Sequence, residues 1–196
     1  NTNVLNPYIG NRDFEKLQAE YEKTYKQYQY INHLSTRSVY AEVDIYPEDR
    51  EVFLTGHYEM VNDSDEPVDE LHFSVAPWLT IDSLDVPGAS SSLADTRFGY
   101  HIYKFDEPLS PGASLTVSFD IDWLTPGFRN NGASAKLTSN GTFFNNQDLF
   151  PIVGYQAQAE LQDNAKRRRY ELEPIERMSP IDDQEAKYRT GLGGSG

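Results

Sequence analysis

The chain has 196 residues, a length that suits one large domain with appendages, and its 31 acidic against 17 basic residues give a formal charge of -14. That charge repels phosphate backbones and anionic lipid surfaces at long range, which argues against nucleic acid as a partner. The absence of cysteine removes disulfides, thiol nucleophiles and thiolate metal sites, while 13 Tyr and 10 Phe favour strands. No apolar run approaches the roughly 20 residues that span a bilayer, and the chain, opening on Asn1 without an initiator methionine, is expected to begin mid-protein.

Residues 1–35 read as a lead-in and an amphipathic helix. Asn6-Pro7 and Gly10 are turn formers, Asn11 is placed to cap a helix, and Phe14, Leu17, Tyr21, Tyr25, Tyr28 and Ile31 recur at helical spacing as one apolar stripe. Such a stripe docks against a sheet or a partner. From Val39 the period changes to two. Val39, Ala41, Val43 and Ile45 share one face and Tyr40, Glu42 and Asp44 the other, predicting a half-buried strand. Pro47 to Arg50 turns it into a second strand carrying Val52, Leu54, Gly56, Tyr58 and Met60.

A third strand follows at Leu71, Phe73 and Val75, and a short fourth at Ile81 to Val86. Ser90 to Thr96 reads as an exposed connection to a fifth strand at Phe98 to Phe105, with Pro108 and Pro111-Gly112 as a long turn. Leu115, Val117, Phe119, Ile121 and Trp123 then alternate strictly with polar residues, so Asp120 and Asp122 fall on the wet face. Six strands joined by turns without intervening helices predict an all-β fold, an antiparallel β-sandwich over residues 36–160. Pro126 to Ala135 reads as a loop. Residues 161–190 form a charged, irregular extension containing Lys166-Arg167-Arg168-Arg169, a run expected on a solvated helix face, and 191–196 have linker composition.

The stretch Ser139 to Tyr155 fits neither a solvated loop nor an alternating strand. It sets Asn140, Asn145, Asn146, Gln147 and Asp148 among Phe143, Phe144, Leu149 and Phe150, a polar ledge on an apolar base. Buried amides without partners cost about 1 to 3 kcal/mol each, so this composition points to a site facing something. The competing reading is a buried crossing loop whose amides satisfy backbone. His33, His57, His72 and His101 have no HExxH or other zinc spacing, and neither GxSxG nor a phosphate-cradling Gly loop is present. Asn62-Asp63-Ser64 and Asn140-Gly141-Thr142 match the N-glycosylation pattern, which is common by chance.

With the strands placed, Asn1-Thr2-Asn3-Val4-Leu5-Asn6, Val43-Asp44-Ile45-Tyr46-Pro47, Asn140-Gly141-Thr142-Phe143-Phe144, Phe150-Pro151 and Gly154-Tyr155 carry a resemblance. The chain resembles the amino-terminal domain of the aminopeptidase N family of zinc metallopeptidases, in the bacterial branch fused behind the membrane segments of an ABC-type permease. The resemblance implies a saddle-like β-sandwich that is itself non-catalytic, holds no cofactor and docks on a thermolysin-like catalytic domain of the same parent chain, where HExxH and the zinc are expected. It further implies an extracytoplasmic, periplasmic position tethered by membrane segments upstream, and peptide as the substrate met through the catalytic domain. In the family, a Gln or Glu before Phe-Pro helps hold the substrate's free amine. The matching positions here are Asn140, by ungapped counting, or Asn145, Asn146 or Gln147 after a loop shift. The family's Asp-Glu-Pro after Phe-Pro is replaced by Ile152-Val153-Gly154-Tyr155. A different class of function, an extracytoplasmic module that binds glycan or peptide through exposed Tyr and Asn, fits the same composition.

Overall fold

Alternation of apolar and polar residues over 114–124 generates the strand on which the rest of the chain is laid. The structure is a computed structural model and describes residues 9–124, 137 and 141–175. The expected turn at Asn6-Pro7, the loop Pro126 to Ala135, Asn140 and the tail from 176 onward lie outside the described residues. The strands are β1 (Ser35–Tyr46), β2 (Glu51–Val61), β3 (Val68–Ser74), β4 (Thr80–Asp85), β5 (Ala89–Asp95), β6 (Tyr100–Leu109), β7 (Ser114–Leu124) and β8 (Ile152–Val153). The helices are α1 (Asn11–Tyr25), continued by a 3-10 turn over Lys26–Tyr28, the single turn α2 (Asn146–Leu149) and α3 (Asn164–Arg169).

The strands form two four-stranded antiparallel sheets, ordered β1-β2-β7-β4 and β5-β6-β3-β8. The expected antiparallel sandwich is therefore present. Its core joins Val52, Leu54, Tyr58, Val117, Phe119, Ile121 and Trp123 of the first sheet to Leu71, Phe73, Val75 and Phe105 of the second. Register explains the match, because Leu54 pairs with Ile121 and Tyr58 with Val117, so both strands send the same parity inward. A one-residue slip would turn every one of these side chains to solvent.

Five expectations need correction, the first two in the second sheet. Ser90 to Thr96 is not an exposed connection, since Ala89–Asp95 is β5, paired with β6 at the sheet edge. Ser and Ala dominate it because an edge strand with a wet face needs few large side chains. The turn expected around Pro108 is delayed, and β6 runs on to Leu109, which pairs with Val68.

The third correction concerns β1, whose inner-face residues Val39, Val43 and Ile45 are 53%, 37% and 41% exposed and not half-buried. The tight turn from β4 to β5 sets those two edges on one side of the sandwich, leaving β1 and β8 on the other. A two-residue β8 spans about 7 Å against about 40 Å for a twelve-residue strand, so it leaves most of β1 uncovered.

Helix α1 docks as expected, but its buried face is rotated from the apolar stripe. Phe14 is 56% exposed, whereas Glu15 and Glu22 are buried with Ala19, Tyr21 and Tyr25. The helix lies on the outer face of the second sheet, where Tyr21 and Tyr25 pack on Tyr100 and Ile102. Tyr25 stacks on Tyr100 with ring centroids 4.2 Å apart.

The basic run explains this fourth difference and is itself the fifth correction. Arg167 is 1% exposed, not solvated. Its Nη1 and Nη2 each donate to a Glu22 carboxylate oxygen at 2.7 Å, and Nη1 and Nε also reach the carbonyls of Leu161 and Glu173. Lys26 adds contacts of 2.6 Å to Glu22 and 3.2 Å to Glu160, while Lys166 and Arg169 pair with Glu15. Burial opposes ionisation of Glu22, but the Arg167 and Lys26 hydrogen bonds outweigh it and hold the carboxyl below its ordinary pKa. This network pins the start of the charged extension to α1.

Two stability measurements check this account. Phe119→Ala should cost about 3 to 5 kcal/mol in urea unfolding through the cavity it leaves, whereas Asp120→Ala, on the outer face, should stay within about 0.5. Arg167→Ala should cost about 3 to 5 kcal/mol by leaving Glu22 buried and unpaired. The double change Arg167→Met with Glu22→Leu should recover most of that loss in the same assay.

Candidate functional site

The ledge sits over the seam between the two sheets. Phe144 and Phe150 pack against the core, with Phe144 6.3 Å from Trp123 and Phe150 6.0 Å from Phe119 between ring centroids. Leu149 is 1% exposed. From this base the chain makes the single turn α2, and Asn145 and Asp148 cap its start reciprocally as a capping box. The Asn145 N–H donates to Asp148 Oδ2 at 2.9 Å, and the Asp148 carbonyl accepts from Trp78 Nε1 at 3.3 Å.

Beyond α2 the backbone is bonded from both sides. Tyr58 donates its hydroxyl to the Pro151 carbonyl at 2.8 Å, and burial pushes the Tyr58 pKa up. Ile152 and Val153, standing where the resemblance leads one to expect Asp-Glu-Pro, extend the second sheet by pairing with Ser74 and Phe73. Gly154 follows at φ +76, where a Cβ would lie 2.7 Å from His33 Nε2. Glycine is required there both by the left-handed backbone and by that approach. Tyr155 then stacks on Tyr21 at 5.1 Å, and the Gln156 N–H donates to the Tyr21 hydroxyl.

The four candidate amides separate on this scaffold. Asn140 lies outside the described residues. Asn145, Asn146 and Gln147 are brought together on one exposed turn, and the buried members of α2 are Asp148 and Leu149. Asn145 also takes part in the capping box at the start of α2. Asn146 and Gln147 make no side-chain hydrogen bond to a described residue and project their carbonyl and amino groups outward. Phe143, expected to anchor, is 78% exposed and belongs to the same outward surface.

Sequence reasoning missed Asp148 as a buried cap and Trp78 and Tyr58 as supports. The Asn145-x-x-Asp148 spacing was the available signal for the cap, since an N-terminal acceptor with an acid three residues on marks a helix start. Tyr58 and Trp78 are separated from the ledge by tens of residues and carry no local signal.

The remaining polar candidates resolve as structure. Asn62, the first potential glycosylation site, is fully buried and donates to the carbonyls of Glu66 and Leu109 at 2.8 Å, so its amide holds a turn and is closed to a glycan. His72 is also fully buried, its Nδ1 2.9 Å from the Tyr100 hydroxyl. Burial, then the neighbouring His72, lowers the His33 pKa to about 4. Among the described residues no group of three or more His, Asp or Glu is placed to hold a metal ion, and no helix is long and apolar enough to cross a membrane. The sequence matches no protein-family model and no curated protein.

What the arrangement offers chemically is a pair of neutral amides on a fixed turn. Each presents one acceptor and two donor hydrogens to whatever lies above it. Substitution separates their roles: Asn145→Ala should lower stability by about 0.5 to 2 kcal/mol through the lost cap, whereas Asn146→Ala and Gln147→Ala should each stay within about 0.5. Chemical denaturation midpoints of the three variants check this order.

Proposed function

We propose that this chain is a non-catalytic accessory domain that forms one wall of a peptidase cleft and helps to recognise the substrate's amino terminus. The observation that carries this reading is the exposure of the Asn146 and Gln147 amides on a turn whose Asp148 and Leu149 are buried beneath them. Folding does not use these two amides, yet their backbone is fixed through Leu149, Phe150 and Pro151. A neutral amide oxygen accepts a hydrogen bond from an ammonium without the desolvation cost of a carboxylate.

The motif resemblance supplies the rest of the proposal. The cleft's other wall is a thermolysin-like catalytic domain of the same parent chain, carrying zinc, and the assembly stands on the periplasmic side of a bacterial inner membrane, tethered by permease-type segments. The ledge offers amides where the family offers a Gln or Glu, so the ammonium is met by dipoles and not by a full charge. Ile152 and Val153 serve the sheet and contribute nothing polar to that contact.

The test uses the full parent reading frame, purified with zinc and assayed on aminoacyl nitroanilides. Asn146→Ala or Gln147→Ala should lower kcat/KM by roughly 10 to 150-fold, the effect of losing about 1.5 to 3 kcal/mol from a hydrogen bond to a charged group. An N-acetylated substrate should erase the difference between variant and wild type. A parent frame without a peptidase domain, or kinetics untouched by both substitutions, would sink the proposal.

A further inference from the structure

The edge of the first sheet carries a different surface from the ledge. Strand β1 ends the order β1-β2-β7-β4, and among the described residues no strand pairs with its other side. It is twelve residues long and exposed on both faces, with only Ser35 and Ala41 partly buried. Exposed edges are normally blunted by proline, lysine, a bulge or shortness. β1 has no proline or lysine, and beyond one bulge between Thr36 and Ser38, at Arg37, it runs unbroken to Tyr46.

The two faces of this edge differ in chemistry. Inward, Val39, Val43 and Ile45 continue the apolar face of β2, yet remain 37% to 53% exposed. Outward, Glu42 and Asp44 of β1 share a face with Glu51 and Glu59 of β2, and Arg37, at the bulge and 3.8 Å from Asp63, is the one Lys or Arg in the two strands. Further across the sheet, burial and then the carboxylates of Asp82, Glu51 and Asp120 raise the pKa of Asp122, which fits a face where carboxylates crowd one another. A strand added here would find backbone groups along its length, apolar contacts on one side and carboxylates on the other.

We propose that the free edge of β1 takes up an extended segment of a partner protein whose apolar residues alternate with Lys or Arg, extending the sheet to five strands. The alternation follows from the pleat, which sends successive side chains to opposite faces. The basic positions follow from the outer carboxylates. A second copy of this chain fits less well, because antiparallel self-pairing about Ala41 would bring Glu42 and Asp44 of both molecules onto one face of a chain already at -14. The proposal is independent of the peptidase reading, since neither the edge nor its test involves the ledge.

The experiment titrates the full 196-residue chain into a fluorescein-labelled peptide of four Val-Lys repeats and follows anisotropy. Three controls have the same length: four Val-Glu repeats, four Lys followed by four Val, and the Val-Lys peptide at raised salt. The alternating basic peptide should bind about tenfold or more tightly than the block peptide of equal charge, and weaken with salt. Hydrogen exchange on the unmodified protein should slow at backbone amides between Ser38 and Ile45 when that peptide is bound. Ala41→Pro and Glu42→Pro supply the variant arm. Adjacent N–H groups point to opposite edges, so one of the two prolines falls at an outward N–H and keeps the wild-type melting temperature. That variant should lose peptide binding. Equal binding of the block peptide, unchanged exchange in β1, or binding retained by the folded proline variant would each overturn the proposal. So would a concentration-dependent dimer that the same proline abolishes, because the occupant would then be a second copy.

Discussion

The antiparallel register between β2 and β7 is the constraint from which the rest of the molecule follows. It turns Leu54, Tyr58, Val117, Phe119, Ile121 and Trp123 to one side, and these side chains form the floor on which the second sheet and the ledge are placed. The Tyr58 hydroxyl holds Pro151, Phe119 meets Phe150 and Trp123 meets Phe144. The outward-facing turn at Asn146 and Gln147 is therefore fixed by strands far from it in sequence. The same parity that fills the core also collects Glu42, Asp44, Glu51, Glu59, Asp120 and Asp122 on the opposite face, so the acidic surface is a by-product of the register.

A third layer is built on different physics. Aromatic packing of Tyr21 and Tyr25 on Tyr100 attaches α1 to the second sheet, but the orientation of the helix is set by charge. Glu22 is drawn inward by Arg167, whose guanidinium is bound by a carboxylate and two carbonyls. A buried pair of this kind adds little net stability compared with apolar packing, yet is costly to break. It acts here as a registration device, linking a helix at one end of the chain to a short helix at the other.

The sheet core was legible in the sequence because its signal is local. Two-residue alternation from Leu115 to Trp123 names the two faces directly, and the structure buries Val117, Phe119, Ile121 and Trp123, with Leu115 partly covered near the start of the strand. What could not be read was whether anything covers a face. Val39 and Val43 have the pattern of core residues, but their exposure depends on the shortness of β8, more than a hundred residues away. Phe14 and Glu15 exchange their expected places because Arg169 and Lys166 reach back to Glu15. For the ledge, composition pointed to the right stretch, yet it could not separate Asn145, which caps, from Asn146 and Gln147, which do not. That distinction rests on the position of one helical turn.

Tyr21 joins the two ends of this account. Its ring stacks on Tyr155 and its hydroxyl accepts from the Gln156 backbone, while one residue earlier the Gly154 N–H is bound to the His72 carbonyl of β3. The helix and the descending limb of the ledge thus share their contacts, and neither can open without exposing the other. Contacts shared in this way are what a cooperative opening unit is made of, so α1 is the element whose release would uncover the far end of the ledge.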